Sequence, residues 1–220
     1  MLPSPPKSFG RLSDVFISAL GSMTGIDNRL GLRKVDLGCV VMVDGLGVEN
    51  ITFAAGHMKF LGKQSLNAIR CAFPSTTASS LVSFATGDRP GVHNFVGYQV
   101  QKNDEPLNLL TGLTPNDAKA LQRRVTVSEK ARASGLECYF IGPPEYENSG
   151  FTNATMRDAT YVAEKDISKR VSRAVDLLKT QKRCLIYLYI PELDQTAHRH
   201  GSRSMQWLNR TCCSADRSSY

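Results

Sequence analysis

The sequence predicts an α/β fold with a mostly parallel sheet and helices on both of its faces. Three observations lead there: short apolar runs that stop at Gly or Pro, helical periodicity between those runs, and a recurring strand, loop, helix order. The first run is Lys34–Val43, KVDLGCVVMV, whose apolar second half suits a central parallel strand and which stops at Asp44-Gly45. Val48 to about Leu61 reads as helical, Leu66–Phe73 as a second strand stopped by Pro74, and Thr77–Ala85 as a helix closed by Gly87. Pro90–Pro115 is punctuated by Gly, Asn and Asp and reads as loops with short strands. Val125–Ser134 is helical in pattern, and Leu136–Ile141 is a strand ended by Gly142-Pro143-Pro144. After a polar excursion from Glu145 to Asp158 come a helix over Ala163–Thr180 and a last strand, Cys184–Ile190, which stops at Pro191. No internal repeat interrupts this order.

The bulk properties narrow the class without choosing a function. A chain of 220 residues with 41% hydrophobic content can bury an ordinary globular core. The 27 Lys and Arg outnumber the 20 Asp and Glu, a formal charge of +7 that suits anionic partners. Clusters such as Arg123-Arg124, Lys169-Arg170 and Lys182-Arg183 lack interleaved aromatics, so they read as solvated faces and no specific nucleic-acid binding is expected. Six cysteines show no C-x-x-C spacing; Cys39, Cys71, Cys138 and Cys184 sit in apolar runs and read as buried reduced thiols. The Met1-Leu2-Pro3-Ser4-Pro5-Pro6 start has no apolar core of a signal peptide, and no apolar stretch reaches the ~20 residues that span a bilayer. The expectation is therefore no membrane association and a cytoplasmic, reducing location. Residues 1–30 are expected to form a lead-in, extended over 1–10 with a short helix at Leu12–Leu20, before a main domain over 31–201 and an atypical tail over 202–220.

Ligands of open α/β sheets bind beyond the carboxyl ends of the strands, and three polar segments fall there. Asp44 ends VVMVDGLG, where a carboxylate beside glycines can approach a cation or phosphate, although taken alone it is better explained by an Asp-Gly turn. Thr77, in FPSTTASS, falls at a predicted helix start, a place that suits a nucleophile attacking phosphorus, although taken alone Ser75, Thr76 and Thr77 are each better explained by simple capping. Asp194 and His198, in YIPELDQTAHRHG, are four apart and can face one cation with oxygen and nitrogen donors that zinc accepts; His200 nearby is either a supporting group or an exposed polar residue.

Taken together these segments resemble the alkaline phosphatase superfamily, and within it the type I phosphodiesterase/nucleotide pyrophosphatase family. VVMVDGLG resembles that family's first metal-binding aspartate, FPSTTASSLVSFATGDRPGVH its nucleophile loop with the T-G-x-x-P-x-x-H stretch, and YIPELDQTAHRHG its Asp/His metal motif. Alignment on Ala85-Thr86-Gly87 puts the nucleophile at Thr77 rather than Thr76 or Ser75. The resemblance implies an alkaline-phosphatase-like fold and two divalent metal ions, most simply zinc, with Asp44 and Thr77 at one and Asp194 and His198 at the other. It implies hydrolysis of phosphoester or phosphoanhydride bonds in a phosphorylated small molecule or nucleotide, through a phosphothreonine-like intermediate on Thr77. Tyr98 stands where the family has an Asn that holds a phosphate oxygen, so Tyr98 is the expected substrate contact. The S-D-H-G-like motif and later His that complete the family's ligand set do not occur before Tyr220, so the fold is expected to be incomplete at its C-terminus, as in a truncated product. Two other readings remain at this point: a catalytically silent remnant, and a nucleotide-binding α/β module, which lacks G-x-G-x-x-G and Walker loops.

Overall fold

The computed structural model describes residues 10–213. The expected extended lead-in, except for Gly10, and the last seven residues of the expected tail lie outside the described residues. In chain order the helices and strands are α1 (Leu12–Thr24), β1 (Leu37–Val43), α2 (Val48–Phe53), α3 (Thr77–Thr86), α4 (Pro90–His93), β2 (Gln99–Lys102), β3 (Glu105–Asn108), α5 (Pro115–Leu121), α6 (Val127–Ala133), β4 (Glu137–Gly142), α7 (Gly150–Thr155), β5 (Thr160–Ala163), α8 (Ile167–Thr180), β6 (Cys184–Ile190), α9 (Glu192–His200) and α10 (Met205–Cys213). Two single 3-10 turns lie at Leu61–Lys63 and Pro144–Tyr146.

The chain forms two compact units. The first comprises residues up to Val40 together with Ile69–Leu188, the second Val41–Ala68 and the residues from Tyr189 onward, so β1 and β6 each pass from one unit into the other. A four-stranded sheet has the order β1-β6-β4-β5, with β4 parallel to both β5 and β6, while β2 and β3 form a separate antiparallel hairpin. The expected mainly parallel α/β architecture is therefore present.

Burial in the first unit follows from β6, all seven of whose residues are buried. Cys184, Ile186 and Leu188 pack with Ala174, Leu177 and Leu178 of α8 on one face. On the other face Tyr187 meets an aromatic stack: Phe16 of α1 lies 4.7 Å from Phe84 of α3, and Tyr187 lies 4.9 Å from Phe84 and 4.8 Å from Phe140 of β4. Helices thus cover both faces. The opposite flank of α3 buries Ala78 and Val82 against Phe95, Leu109, Ala118 of α5 and Ala154 of α7. Gly87 ends α3 in the left-handed conformation at φ 77°, which no L side chain adopts cheaply. In the second unit Ala54, Met58, Leu193 and Trp207 form the core, joined by Val43, Ile51, Ala197 and Leu208.

Most elements match expectation within a few residues; the helix expected from Val48 to about Leu61 ends at Phe53, and three further segments differ. Leu66–Phe73 forms no strand; Arg70 makes one isolated parallel bridge to Arg11. Its apolar side chains find no core, since Leu66 and Phe73 are 48% and 87% exposed. The polar excursion ends in β5, a four-residue edge strand too short to show a period. The helix expected from Ala163 consequently starts at Ile167. Cys138 and Cys184 are buried thiols as expected, but Cys39 and Cys71 are exposed because β1 ends the sheet order and residue 71 lies in the unformed strand.

Phe84 joins α3 to α1 and to the sheet, so Phe84→Ala should cost roughly 3–5 kcal/mol of folding free energy. Urea unfolding followed by circular dichroism reads this directly, and a loss under about 1 kcal/mol would show that the stack does not hold α3.

Candidate functional site

Asp44 is the first residue after β1 and is fixed from several directions within the second unit. Its N–H donates to Ile190 O at 3.0 Å. Tyr189, 7% exposed, donates its hydroxyl to Asp44 Oδ2 at 2.7 Å, and the Gly45 N–H donates to Asp44 Oδ1 at 3.0 Å. Both carboxylate oxygens are therefore oriented, yet each keeps a lone pair for a cation.

Gly45 allows a second carboxylate to come close. It has φ 71°, and a Cβ placed there would lie 2.8 Å from Asp194 Cα and 2.9 Å from Asp194 Cβ, so any side chain would push α9 away. Asp194 sits in the first turn of α9, with His198 one turn later; His198 Nε2 lies 3.5 Å from Asp194 Oδ2. Burial raises the Asp194 pKa above the ordinary carboxylate value, the Asp44 charge raises it further, and His198 pulls it back. Two carboxylates and an imidazole are thus grouped, with His198 and His200 exposed to solvent. Their donor types fit a divalent cation, and the repulsion between the carboxylates is the load such a cation would relieve. By arrangement they fall short: among the described residues no three or more Asp, Glu, His or Cys side chains are placed to hold one metal ion.

Thr77 and Tyr98 belong to the first unit. Thr77 is the first residue of α3, half-buried, while Thr76 is the cap: its side chain accepts the Ser79 N–H at 3.4 Å. The capping explanation therefore attaches to Thr76 and leaves the Thr77 hydroxyl without a hydrogen bond among the described residues. Tyr98 lies just before β2, 45% exposed, with its carbonyl accepting the Leu109 N–H at 2.9 Å.

Sequence reasoning passed over three residues here. Tyr189 and Gly45 were embedded in quoted motifs but carried no assigned role. His93, the last residue of the T-G-x-x-P-x-x-H stretch, is fully buried; its Nδ1 accepts the Phe95 N–H at 3.2 Å, and its Nε2 lies 2.8 Å from Ser83 Oγ. An accepting Nδ1 fixes the proton on Nε2, so His93 donates to Ser83 and is no base for that hydroxyl. This motif histidine ties α3 to the loop after α4.

A mainly parallel sheet with helices on both faces, and carboxylate and imidazole groups following β1 and β6, defines an alkaline-phosphatase-like α/β protein. The sequence over residues 39–212 matches the model of the type I phosphodiesterase / nucleotide pyrophosphatase family, and the chain belongs to that family. By sequence alone, no curated protein matches. Murine ectonucleotide pyrophosphatase / phosphodiesterase 5 has a similar structure, with a TM-score of 0.61 at 16% identity over 81% of this chain and 49% of that one. An inactive threonine-to-alanine variant of the same murine protein, in complex with AMP, matches with a TM-score of 0.61 at 15% identity and the same coverage. The chain thus spans about half the length of these structures.

Burial holds the His93 pKa down at about 4, against 6.5 ordinarily, with the Asp88 charge opposing the shift. Below pH 6.5 the unfolded chain takes up a proton that the folded chain refuses. This contribution, about 3 kcal/mol at most, is complete above that pH and is lost as pH falls toward 4. Urea midpoints should accordingly drop between pH 7.5 and 4.5, and by less in His93→Gln. An unchanged pH slope in the variant would assign the loss to another group.

Proposed function

We propose that this chain carries the nucleophile and part of the metal-ligand set of a phosphodiesterase/nucleotide pyrophosphatase-type hydrolase. The observation that carries the reading is the packing of Asp194 against Gly45, beside Asp44 whose charge reaches it, which a plain Asp-Gly turn does not require. Thr77 is the nucleophile in this reading: its Oγ forms a bond to phosphorus, the bond from phosphorus to the leaving oxygen breaks, and water later hydrolyses the phosphothreonine. The N-terminus of α3, with its free N–H groups and positive dipole end, favours the anionic phosphoryl group at that position. Asp44, Asp194 and His198 would supply donors to two divalent cations, most simply zinc. Such ions supply Lewis-acid stabilisation of phosphoryl oxygens and lower the pKa of an attacking hydroxyl or water. Support for the nucleophile comes from the engagement of Thr76 in capping, and from the murine relative whose threonine-to-alanine variant is inactive and binds AMP. A nucleotide or other phosphorylated small molecule is the substrate class, with Tyr98 as the proposed substrate contact.

In added zinc the protein should release nitrophenol from a nitrophenyl phosphodiester, and Thr77→Ala should lower the rate by about a thousandfold or more. Equal rates in the two proteins would remove Thr77 from the chemistry.

A second reading, a family member that folds without turning over substrate, is favoured by the ligand count. Among the described residues these side chains give each proposed cation fewer than the three protein donors usual for catalytic zinc. Metal content after exhaustive dialysis separates the two. The hydrolase reading expects retained zinc that falls in Asp44→Asn and Asp194→Asn, whereas the silent reading expects none.

A further inference from the structure

A cavity of about 330 Å³ lies in the first unit, lined by the start of α1, residues 70–73, and α3 with the turn that follows it. None of Asp44, Thr77, Tyr98, Asp194 or His198 lines it, so it stands apart from the proposed chemistry. Its apolar wall includes Leu12, Phe73 and Pro90. Phe73 is 87% exposed, an aromatic ring with no core to enter. Arginines are its only basic lining residues, and neither Arg11 nor Arg89 forms an ion pair among the described residues. Asp88 is the only acid among the described lining residues, and Arg124 holds it at 2.8 Å. Ser80, 9% exposed, lines the same space, and its hydroxyl makes no hydrogen bond among the described residues.

An apolar cleft with a few converging polar groups is the usual form of a small-molecule site, and this one carries uncompensated positive charge. Guanidinium forks pair with a carboxylate through two parallel N–H bonds. Inorganic phosphate, having no apolar part, would leave the wall unused, while an uncharged alkane would leave the arginines unused. We infer that this cavity binds an organic carboxylate with an apolar body, its head group on Arg11 and Arg89 with Ser80 as a further donor, and its body against Leu12, Phe73 and Pro90.

Calorimetric titration of the full chain with octanoate, octan-1-ol and inorganic phosphate tests this. Octanoate should bind saturably at one site, with the alcohol and phosphate each at least about tenfold weaker, as expected when a charge-assisted hydrogen bond or the apolar contact is absent. The Arg11→Ala/Arg89→Ala double variant, which removes no ion pair among the described residues, should bind octanoate at least about tenfold more weakly while its urea midpoint stays unchanged. Ser80→Ala keeps the helix and should weaken octanoate less than the double variant does. The inference is overturned if octanoate does not bind, if the alcohol or phosphate binds as tightly, or if the double variant binds octanoate like the parent chain.

Discussion

A strand buried along its whole length must satisfy two packing partners at once, and β6 does so with alternating side chains. Cys184, Ile186 and Leu188 meet α8, and Tyr187 meets the stack of Phe16, Phe84 and Phe140. Because Phe84 is part of that stack, the position of α3, and hence of Thr77 at its first turn, is set by aromatic packing two turns away. The same strand ends in Tyr189 and Ile190, whose hydroxyl and carbonyl both engage Asp44. One apolar run therefore serves the core with its middle and orients a candidate ligand with its end.

Gly45 sets this arrangement apart from a plain turn. An Asp-Gly turn accounts for the bond from the Gly45 N–H to Asp44 Oδ1, and nothing in such a turn calls for a second carboxylate. Asp194 nevertheless packs against Gly45, at a distance only glycine permits, and burial together with the charge of Asp44 makes its ionised form less favourable than in water. Folding gains nothing from that repulsion, since an apolar residue at 194 would be cheaper to bury. Arrangements that oppose stability in this way are characteristic of sites kept for chemistry.

What was legible in the sequence follows from the length and strength of each pattern. CLIYLYI and LECYFI are long, apolar and bounded by Pro or Gly, and both form strands within a residue of expectation. LNAIRCAF carries as much apolar character and forms none, because composition shows that a segment can pair and cannot show whether a neighbouring strand is there to pair with. TYVA pairs with β4 through four residues, too few for a period. At the site, acidic and imidazole residues at strand ends were readable because their chemistry is unusual there. Tyr189, Gly45 and His93 were not, because a tyrosine in a strand, a glycine in a turn and a histidine in a loop all have ordinary explanations until their partners are seen.

The choice among Ser75, Thr76 and Thr77 shows how alignment and physics divide the work. Spacing from Ala85-Thr86-Gly87 selects Thr77, while propensity treats all three residues as capping candidates. In the structure Thr76 has the extended backbone of a cap, at φ −68° and ψ 148°, and accepts the Ser79 N–H, so one hydroxyl is committed to holding the helix start. The next residue is already helical, and its hydroxyl is not needed there. A helix that caps itself with one threonine and begins with another offers both a fixed N-terminus and a spare hydroxyl beside it. That pairing meets what a nucleophile requires, a rigid support and no competing hydrogen bond, more closely than a single capping threonine would.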